Sequence, residues 1–232
     1  MARLRHFRGS KRPAVDYNFN DFQVCIGSGS YGNVYASTKD EGVVMKVINV
    51  RNNPHARDMI QHELAVLQTM SKFERNNVYL HHESETNAAL DIEIVRIYMK
   101  RFNKGELFDY VVNNHGTRDY LHTVVCSNFV KQIYETVFFL HRNGIYHRDI
   151  KLENIMVHKD GQNMTLQFID FGLSTIVHDG NINSVLSRIH FVRGSPVYLG
   201  PPSPVARNNV DAYRMKSILQ CYDVWAATVV VY

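Results

Sequence analysis

The sequence lacks the features that mark secreted, disulfide-stabilised and membrane-spanning proteins. Its three cysteines, Cys25, Cys126 and Cys221, lie far apart and form no paired spacing, which disfavours a disulfide framework or a zinc site. No apolar run approaches the roughly 18 residues that a membrane-spanning helix needs. The basic start of the chain is followed by no apolar stretch, which disfavours a secretory signal. These absences predict an intracellular protein of the cytoplasm or nucleus, with no membrane partner.

Residues 1–18 form a predicted basic tail. The arginines and lysines of this tail supply much of the chain's net charge of +4. Such a charge run is typical of a solvated arm, although it is also what a basic nucleic-acid binder would carry. No recognisable nucleic-acid-binding motif accompanies the charge. The sequence therefore disfavours nucleic acid as a partner.

A glycine-rich turn lies between two predicted strands near the start of the chain. Apolar and polar residues alternate from Phe22 to Ile26 and then meet Gly27-Ser-Gly-Ser-Tyr-Gly32. Glycine at three of these positions lets the backbone come close to phosphate oxygens. A dinucleotide-binding fold needs a helix directly after such glycines, whereas a strand is predicted here from Val34. This context favours a phosphate-binding hairpin.

A lysine in an apolar strand and a glutamate in a predicted helix form a candidate ion pair. Lys46 lies within the predicted strand 43–50, where an unpaired charge would be costly. Glu63 lies on a helix that the apolar period from Met59 to Met70 predicts, and Pro54 favours its start. The alternative is a snorkelling Lys46 and a solvated Glu63.

The densest cluster of polar residues lies between Ile145 and Val157. Its sequence, Ile-Tyr-His-Arg-Asp-Ile-Lys-Leu-Glu-Asn-Ile-Met-Val, contains a carboxylate at Asp149, a cation at Lys151 and a carboxamide at Asn154. A base, a cation and a metal ligand in one short loop are the groups that phosphoryl transfer requires.

These motifs resemble those of the eukaryotic serine/threonine protein kinases. The segment from His147 to Asn154 matches the family's H-R-D-x-K-x-x-N loop at every fixed place, and Asp170 heads a D-F-G tripeptide. The resemblance covers about residues 21–232 and is strongest to the calcium/calmodulin-dependent and AMP-activated kinase group. It implies an α+β fold of two lobes, with a small antiparallel-sheet lobe and an incomplete helical lobe.

The resemblance also implies a division of the chain. Residues 19–99 are the expected small lobe, 100–104 the hinge, and 105–232 the large lobe, which is truncated. Gly194-Ser-Pro-Val-Tyr198 resembles the family's substrate-facing G-[TS]-P-x-Y element, and Asp223-Val-Trp225 resembles the start of the helix that anchors the catalytic loop. The family's A-P-E motif reads Gly200-Pro-Pro here, and the helices that the family places after this anchoring helix are expected to be missing. We therefore expect exposed apolar side chains on the last helix, which could support self-association or bind a partner. These side chains are Val224, Trp225, Val229, Val230 and Val231.

The site roles follow from the resemblance. Asp149 is expected to orient the acceptor hydroxyl and take its proton, while Lys151 steadies the transferring phosphoryl group and indicates a serine or threonine acceptor. The expected Mg²⁺ ligands are Asn154 and Asp170. The expected catalytic residues are Asp149, Lys151, Lys46 and Glu63. The expected ATP-binding residues are Gly27, Ser28, Gly29, Ser30, Gly32, Val34, Val44, Lys46, Met99 and Met156.

Four further positions bear on specificity and regulation. In related kinases that prefer basic substrates, the positions of Glu106 and Glu153 bind a basic substrate residue three places before the acceptor. Substrates with basic residues are therefore expected. Val44 replaces the family's usual alanine and should narrow the adenine pocket. Phe191 stands where relatives often carry the activating phosphoacceptor, which leaves Ser187 or Ser184 as alternatives. The truncated large lobe keeps open a rival interpretation, a catalytically impaired kinase-like binding or decoy protein, although the complete set of catalytic residues argues against it.

Overall fold

The computed structural model describes residues 18–29, 32–50, 54–72, 78–87, 92–114, 123–178, 180–181, 184–185, 194–201 and 211–232. Residues 1–17 of the predicted tail, Ser30, Ser187 and Phe191 lie outside these ranges. The chain divides into two compact units, one of Met1–Pro54 with Gln68–Arg101 and one of His55–Leu67 with Phe102–Tyr232. The predicted lobe boundaries stay a prediction.

The first unit contains a five-stranded antiparallel sheet. Its strands are β1 Val24–Gly29, β2 Gly32–Ala36, β3 Val43–Asn49, β4 Tyr79–Asn87 and β5 Ile92–Lys100, in the order β1-β2-β3-β5-β4. The two predicted strands on either side of the glycine turn are therefore confirmed, whereas Ser30 and Tyr31 between them lie outside the described residues. The sequence predicts the last two strands near 78–82 and 92–99. Strand β4 instead continues to Asn87, because it is an edge strand whose polar residues pair with β5 and face solvent.

A small apolar cluster supports this sheet. It contains Phe22, Val43, Met45 and Tyr98, all of them buried. The rings of Phe22 and Tyr98 meet edge to face with centroids 5.4 Å apart. Burial of each such side chain contributes roughly 1.5–3 kcal/mol to folding, which anchors the start of β1 against β3 and β5.

Among its described residues, the second unit contains most of one helix, three further helices and two small sheets. The helices are α1 Pro54–Met70, α2 Leu107–Asn114, α3 Thr123–Arg142 and α4 Ala212–Val231. The paired strands are β6 Ile145–Tyr146 with β9 Thr175–Ile176, and β7 Ile155–Asp160 with β8 Asn163–Phe168. Helix α1 begins at Pro54 as predicted. The expected α+β class is confirmed, since an antiparallel sheet and helices form separate parts of the chain.

Helix α4 corrects one detail of the sequence analysis, which placed its start near Asp223. The helix begins at Ala212, where the side chain of Asp211 accepts the backbone N–H of Arg214 at 2.8 Å and caps the first turn. Asp223 lies in the middle of the helix and is buried. The aspartate that begins the helix is Asp211, whereas Asp223 serves the loop described below.

The two faces of α4 differ in exposure. Met215 and Leu219 are buried with Tyr146 and Val177, whereas Val224 and Trp225 are exposed. Residues 229–231 are half-buried, so the expected exposure is confirmed for Val224 and Trp225 but not for Val229, Val230 and Val231. Among the described residues, no helix combines the length and apolar character needed to cross a membrane.

Candidate active site

Asp223 of α4 holds the backbone of the predicted catalytic loop, which runs from His147 to Asn154. Its carboxylate accepts the backbone N–H of His147 through Oδ2 and that of Arg148 through Oδ1, both at 2.8 Å. Oδ2 also lies 2.9 Å from Nε2 of His141. Asp223 is 1% exposed, and a carboxylate at that depth is tolerated only where donors satisfy it. These bonds fix the loop immediately before its first predicted catalytic residue.

His147 connects this loop to the Asp-Phe-Gly segment. Its Nε2 lies 3.1 Å from the carbonyl oxygen of Ile169, and Nε2 must carry the hydrogen because a carbonyl only accepts. The imidazole also packs against the rings of Phe168 and Phe171, with centroids 5.7 and 4.8 Å away. The residues on both sides of Asp170 are thereby tied to the catalytic loop.

Asp149 lies at the centre of a group of donors. Ser195 donates its backbone N–H to Oδ1 at 2.9 Å and its hydroxyl to the same oxygen at 3.0 Å. The Nζ of Lys151 and the side-chain amide of Asn154 each lie 3.0 Å from Oδ2. Both carboxylate oxygens therefore have fixed partners, and the orientation of the predicted base is set before any substrate binds.

These contacts keep Asp149 ionised. Burial raises the pKa of Asp149, but hydrogen bonds from Lys151 and Ser195 and the charge of Lys151 outweigh it, so its pKa lies below the ordinary value. Burial lowers the pKa of Lys151, but Asp149 first, and then the charges of Glu153 and Asp170, raise it above the ordinary value. Near neutral pH the site therefore holds a carboxylate beside an ammonium group.

Ser195 makes contacts with the predicted base that could not be read from the sequence. It was expected in a substrate-facing element, whereas its hydroxyl bonds to Asp149 and accepts from Lys151 at 3.1 Å. Gly194 permits this approach, since its φ is +121° and a Cβ there would lie 2.6 Å from the carbonyl oxygen of Arg148. A glycine directly before the serine was the available signal.

The predicted metal ligands suit a hard cation. The side-chain nitrogen of Asn154 donates to two oxygens of Asp149, the backbone oxygen at 2.8 Å and Oδ2 at 3.0 Å. The side-chain oxygen of Asn154, its Oδ1, therefore remains as the metal-ligand atom. Asp170 offers a carboxylate, and the backbone N–H of Ile169 donates to the Asn154 carbonyl at 2.9 Å. Mg²⁺ is commonly held by one or two carboxylates, with waters and substrate phosphates completing the octahedron. These residues fit that pattern.

A group of acidic residues lies on the same unit. Burial raises the pKa of Glu106, and the charges of Asp109 and Glu153 raise it further, against a smaller opposing effect of Lys151. The backbone of Glu106 forms an isolated antiparallel β-bridge with Met156. The mutual repulsion of these carboxylates would be relieved by a bound cation such as an arginine or lysine side chain.

In the first unit, the sheet brings four of the predicted ATP-binding residues onto one face. Val34 is paired with Lys46 across β2 and β3, and Val44 is paired with Met99 across β3 and β5. Lys46 and Val44 are two residues apart on β3 and so point to the same side. Val44 is buried and Lys46 is half-buried. This face presents one cation among apolar side chains.

The three predicted ATP-binding glycines belong to the same sheet. The register pairs Gly29 with Gly32 and Ser28 with Asn33, and the Ser28 hydroxyl donates to Oδ1 of Asn33 at 2.8 Å. Gly32 has φ +139°, and a Cβ there would overlap the carbonyl oxygen of Val47. Gly27 lies in β1, and the predicted ligand Ser30 lies outside the described residues. The packing of the sheet therefore requires glycine at position 32, and the approach of phosphate to these glycines stays a prediction.

Glu63 lies on α1 and is 4% exposed, so the alternative of a solvated glutamate is excluded. A buried carboxylate requires a cationic or hydrogen-bonding partner. The expected ion pair between Glu63 and Lys46 stays a prediction.

Comparisons with known proteins identify relatives of the whole chain. The sequence profile of the protein kinase domain matches residues 21–232. The chain is 28% identical over 205 residues to NUAK family SNF1-like kinase 2 of Rattus norvegicus, covering 86% of this chain and 30% of that protein. It is 25% identical over 218 residues to calcium/calmodulin-dependent protein kinase type 1 of Caenorhabditis briggsae, covering 91% and 53%. It is 28% identical over 230 residues to CBL-interacting protein kinase 25 of Oryza sativa subsp. japonica, covering 97% and 41%. The chain thus spans between 30% and 53% of the length of these relatives.

Proposed function

The chain belongs to the protein kinase family, and from this premise we propose that it transfers the γ-phosphoryl group of ATP to serine and threonine residues of proteins. The observation that carries the proposal is the cluster of Asp149, Lys151, Asn154 and Ser195. It combines an ionised, oriented carboxylate with an ammonium group and an amide oxygen suited to a metal.

Phosphoryl transfer needs little covalent help from the protein, so alignment and charge neutralisation supply most of the catalysis. In the proposed step the acceptor oxygen forms a bond to the γ-phosphorus, the bond from that phosphorus to the β,γ-bridging oxygen breaks, and ADP leaves. Asp149 orients the hydroxyl and receives its proton, and Lys151 offsets charge on the transferring group. Lys46 and the backbone from Gly27 to Gly32 hold the phosphates.

Magnesium, when bound through Asn154 and Asp170, would neutralise phosphate charge as the reaction proceeds. The residues of this chain supply two of its ligands and leave the remainder to phosphate oxygens and water. Asp170 is held at the catalytic loop by the bond from Ile169 to Asn154. Removal of the Asp170 carboxylate should therefore weaken binding of Mg-ATP rather than binding of adenosine.

We propose further that the acceptor sequence carries a basic residue three places before the serine or threonine. Glu106 and Glu153 repel each other within the second unit, and a cation between them would relieve that repulsion. An oriented peptide library with Mg-ATP tests both acceptor and context. Enrichment of arginine or lysine at that position is expected, whereas no basic enrichment, or labelled tyrosine, would reject this assignment.

A binding measurement separates this function from that of a decoy protein. Millimolar Mg-ATP at about a hundred times its dissociation constant adds roughly 2.7 kcal/mol to stability, which raises the melting temperature. An unchanged melting temperature would reject ATP binding. A raised melting temperature without any phosphoryl transfer would favour the decoy.

Self-association or partner binding at the Trp225 helix also remains a prediction. Val224 and Trp225 are exposed apolar side chains on adjacent positions of α4. Light scattering and binding of a hydrophobic dye can test it. A monodisperse monomer that binds no dye would contradict it.

A further inference from the structure

The β7–β8 hairpin connects the two predicted metal ligands. Strand β7 begins directly after Asn154, and β8 ends at Phe168, two residues before Asp170. The register pairs Ile155 with Phe168 at this end of the hairpin. A shift of one strand against the other would therefore move Asn154 relative to Asp170.

A two-stranded hairpin is only marginally stable by itself, and each of its strands is an edge with unpaired backbone groups. In the described structure, a side-chain amide occupies each edge. On β7, Asn103 donates through Nδ2 to the carbonyl oxygen of Lys159 at 2.8 Å and accepts the Lys159 N–H through Oδ1 at 2.9 Å. Asn103 thereby makes the same pair of hydrogen bonds to Lys159 that a residue of a neighbouring antiparallel strand would make.

The outer edge of β8 has a matching arrangement. The side chain of Gln132 on α3 donates through Nε2 to the carbonyl oxygen of Met164 and accepts the N–H of Leu166 through Oε1, both at 2.9 Å. Gln132 is 8% exposed, so its amide is committed to these bonds rather than to water.

Backbone hydrogen bonds hold the rest of the same edge of β7. Lys104 donates its N–H to the carbonyl oxygen of Val157 at 3.1 Å, and Val157 donates to that of Gly105 at 2.8 Å. Asn103 therefore extends a short ladder that otherwise ends at Lys104. The outer edge of β7 is held almost along its whole length.

We propose that Asn103 and Gln132 are positioning residues for the metal ligands Asn154 and Asp170, acting by holding both edges of the β7–β8 hairpin in register. The proposal rests on the proposed function, because it assumes that these two ligands bind Mg²⁺. Magnesium demands nearly ideal octahedral geometry at 2.0–2.1 Å, so a small change in ligand separation weakens its binding. An ordinary stabilising role would instead lower the free energy of unfolding and leave metal affinity unchanged.

The test uses the isosteric changes Asn103→Asp and Gln132→Glu. Each change keeps the side-chain oxygen that accepts a hydrogen bond and replaces the side-chain NH2 donor by an oxygen, which cannot bond to the facing carbonyl oxygen. Asn143→Asp is the matched control, since Asn143 donates in the same way to the Phe139 carbonyl at 2.8 Å but lies outside the hairpin. Electron paramagnetic resonance measures binding of Mn²⁺, as a probe of the Mg²⁺ site, in the presence of a non-hydrolysable ATP analogue. Urea unfolding of each variant measures stability separately.

Both hairpin variants should weaken Mn²⁺ binding by about tenfold, the lower end of the effect of residues that orient metal ligands. The control should bind Mn²⁺ as the wild type does. Unchanged Mn²⁺ affinity in Asn103→Asp would overturn the positioning role alone, whatever the effect of this change on unfolding. Absence of Mn²⁺ binding by the wild type would overturn this proposal together with the proposed function. Asn103 is exposed, so its variant keeps the test decisive if Gln132→Glu fails to fold.

Discussion

Ser195 bonds twice to a single oxygen of Asp149, through its backbone N–H at 2.9 Å and its hydroxyl at 3.0 Å. The same hydroxyl accepts from Lys151 at 3.1 Å. A residue far from the catalytic loop in sequence therefore orients the predicted base and its neighbouring cation together. The proposed reaction depends on this arrangement.

Replacement of Ser195 by alanine should slow phosphoryl transfer by roughly tenfold or more, since a hydrogen bond to a charged group contributes about 1.5–3 kcal/mol. The backbone bond remains, so activity should not vanish. Ser195→Thr keeps the hydroxyl and is the control, with a rate near that of the wild type. Equal rates for the alanine and threonine variants would show that the hydroxyl does not contribute. Steady-state assays of purified variants provide the measurement.

The pKa of Asp149 should respond to Lys151 with a defined sign. Burial raises this pKa and Lys151 lowers it, so Lys151→Met should move the titration of Asp149 to higher pH. In the wild type, the stabilisation from this pair is present above the unfolded-state pKa, about 3.9, and is lost as pH falls through the lower folded value. Carbon-13 NMR of the aspartate carboxyl groups can follow the titration. An unchanged titration would contradict the assigned role of Lys151.

Gly194→Ala should destabilise the protein and slow phosphoryl transfer, because the new Cβ would lie 2.6 Å from the carbonyl oxygen of Arg148. A strained backbone at such a position costs about 1–3 kcal/mol, and relief of the overlap would move Ser195 away from Asp149. Gly161→Ala is the control, since φ there is +57° and nothing lies within 4 Å of the added Cβ. It should cost about 1 kcal/mol and leave the rate unchanged. Equal loss of activity in the two variants would contradict this account.

Asp223→Asn should lower the free energy of unfolding by about 3–5 kcal/mol, because removal of a buried charge that holds three donors leaves partners unsatisfied. The side-chain NH2 of an asparagine would also face the backbone N–H of His147 or Arg148, and two donors cannot form a hydrogen bond with each other. The same change at Asp211, the exposed cap of this helix, should have almost no effect because asparagine is an equally good cap. Urea unfolding can compare the two variants. Similar losses at both positions would contradict the special role of Asp223.

The sequence predicted the parts of this protein whose local pattern is strong. The alternation before Gly27 and the apolar period of α1 gave the strands and the helix, and the catalytic loop was recognisable from its fixed residues. The start of α4 was predicted wrongly, because an aspartate within a helix and a capping aspartate look alike in sequence. Only the tertiary structure shows that Asp223 is buried by the loop that it holds.

The contacts of Ser195, Asn103 and Gln132 could not be predicted for a different reason. Each side chain bonds to backbone or side-chain atoms that are far away in sequence, as between Asn103 and Lys159. A polar residue on a loop or helix has many possible partners, and its own neighbours in sequence do not select among them. Val44 beside Met99, by contrast, follows from strand pairing once the register is known.

The rate at which the purified chain transfers labelled phosphate from ATP to a serine peptide with arginine three places before the acceptor tests the central claim most directly. The wild type should transfer the label in the presence of Mg²⁺. Asp149→Asn should bind Mg-ATP equally well and transfer the label about 10² to 10⁴ times more slowly, the usual contribution of a positioned base. Absence of transfer by the wild type, or an equal rate in Asp149→Asn, would contradict the account.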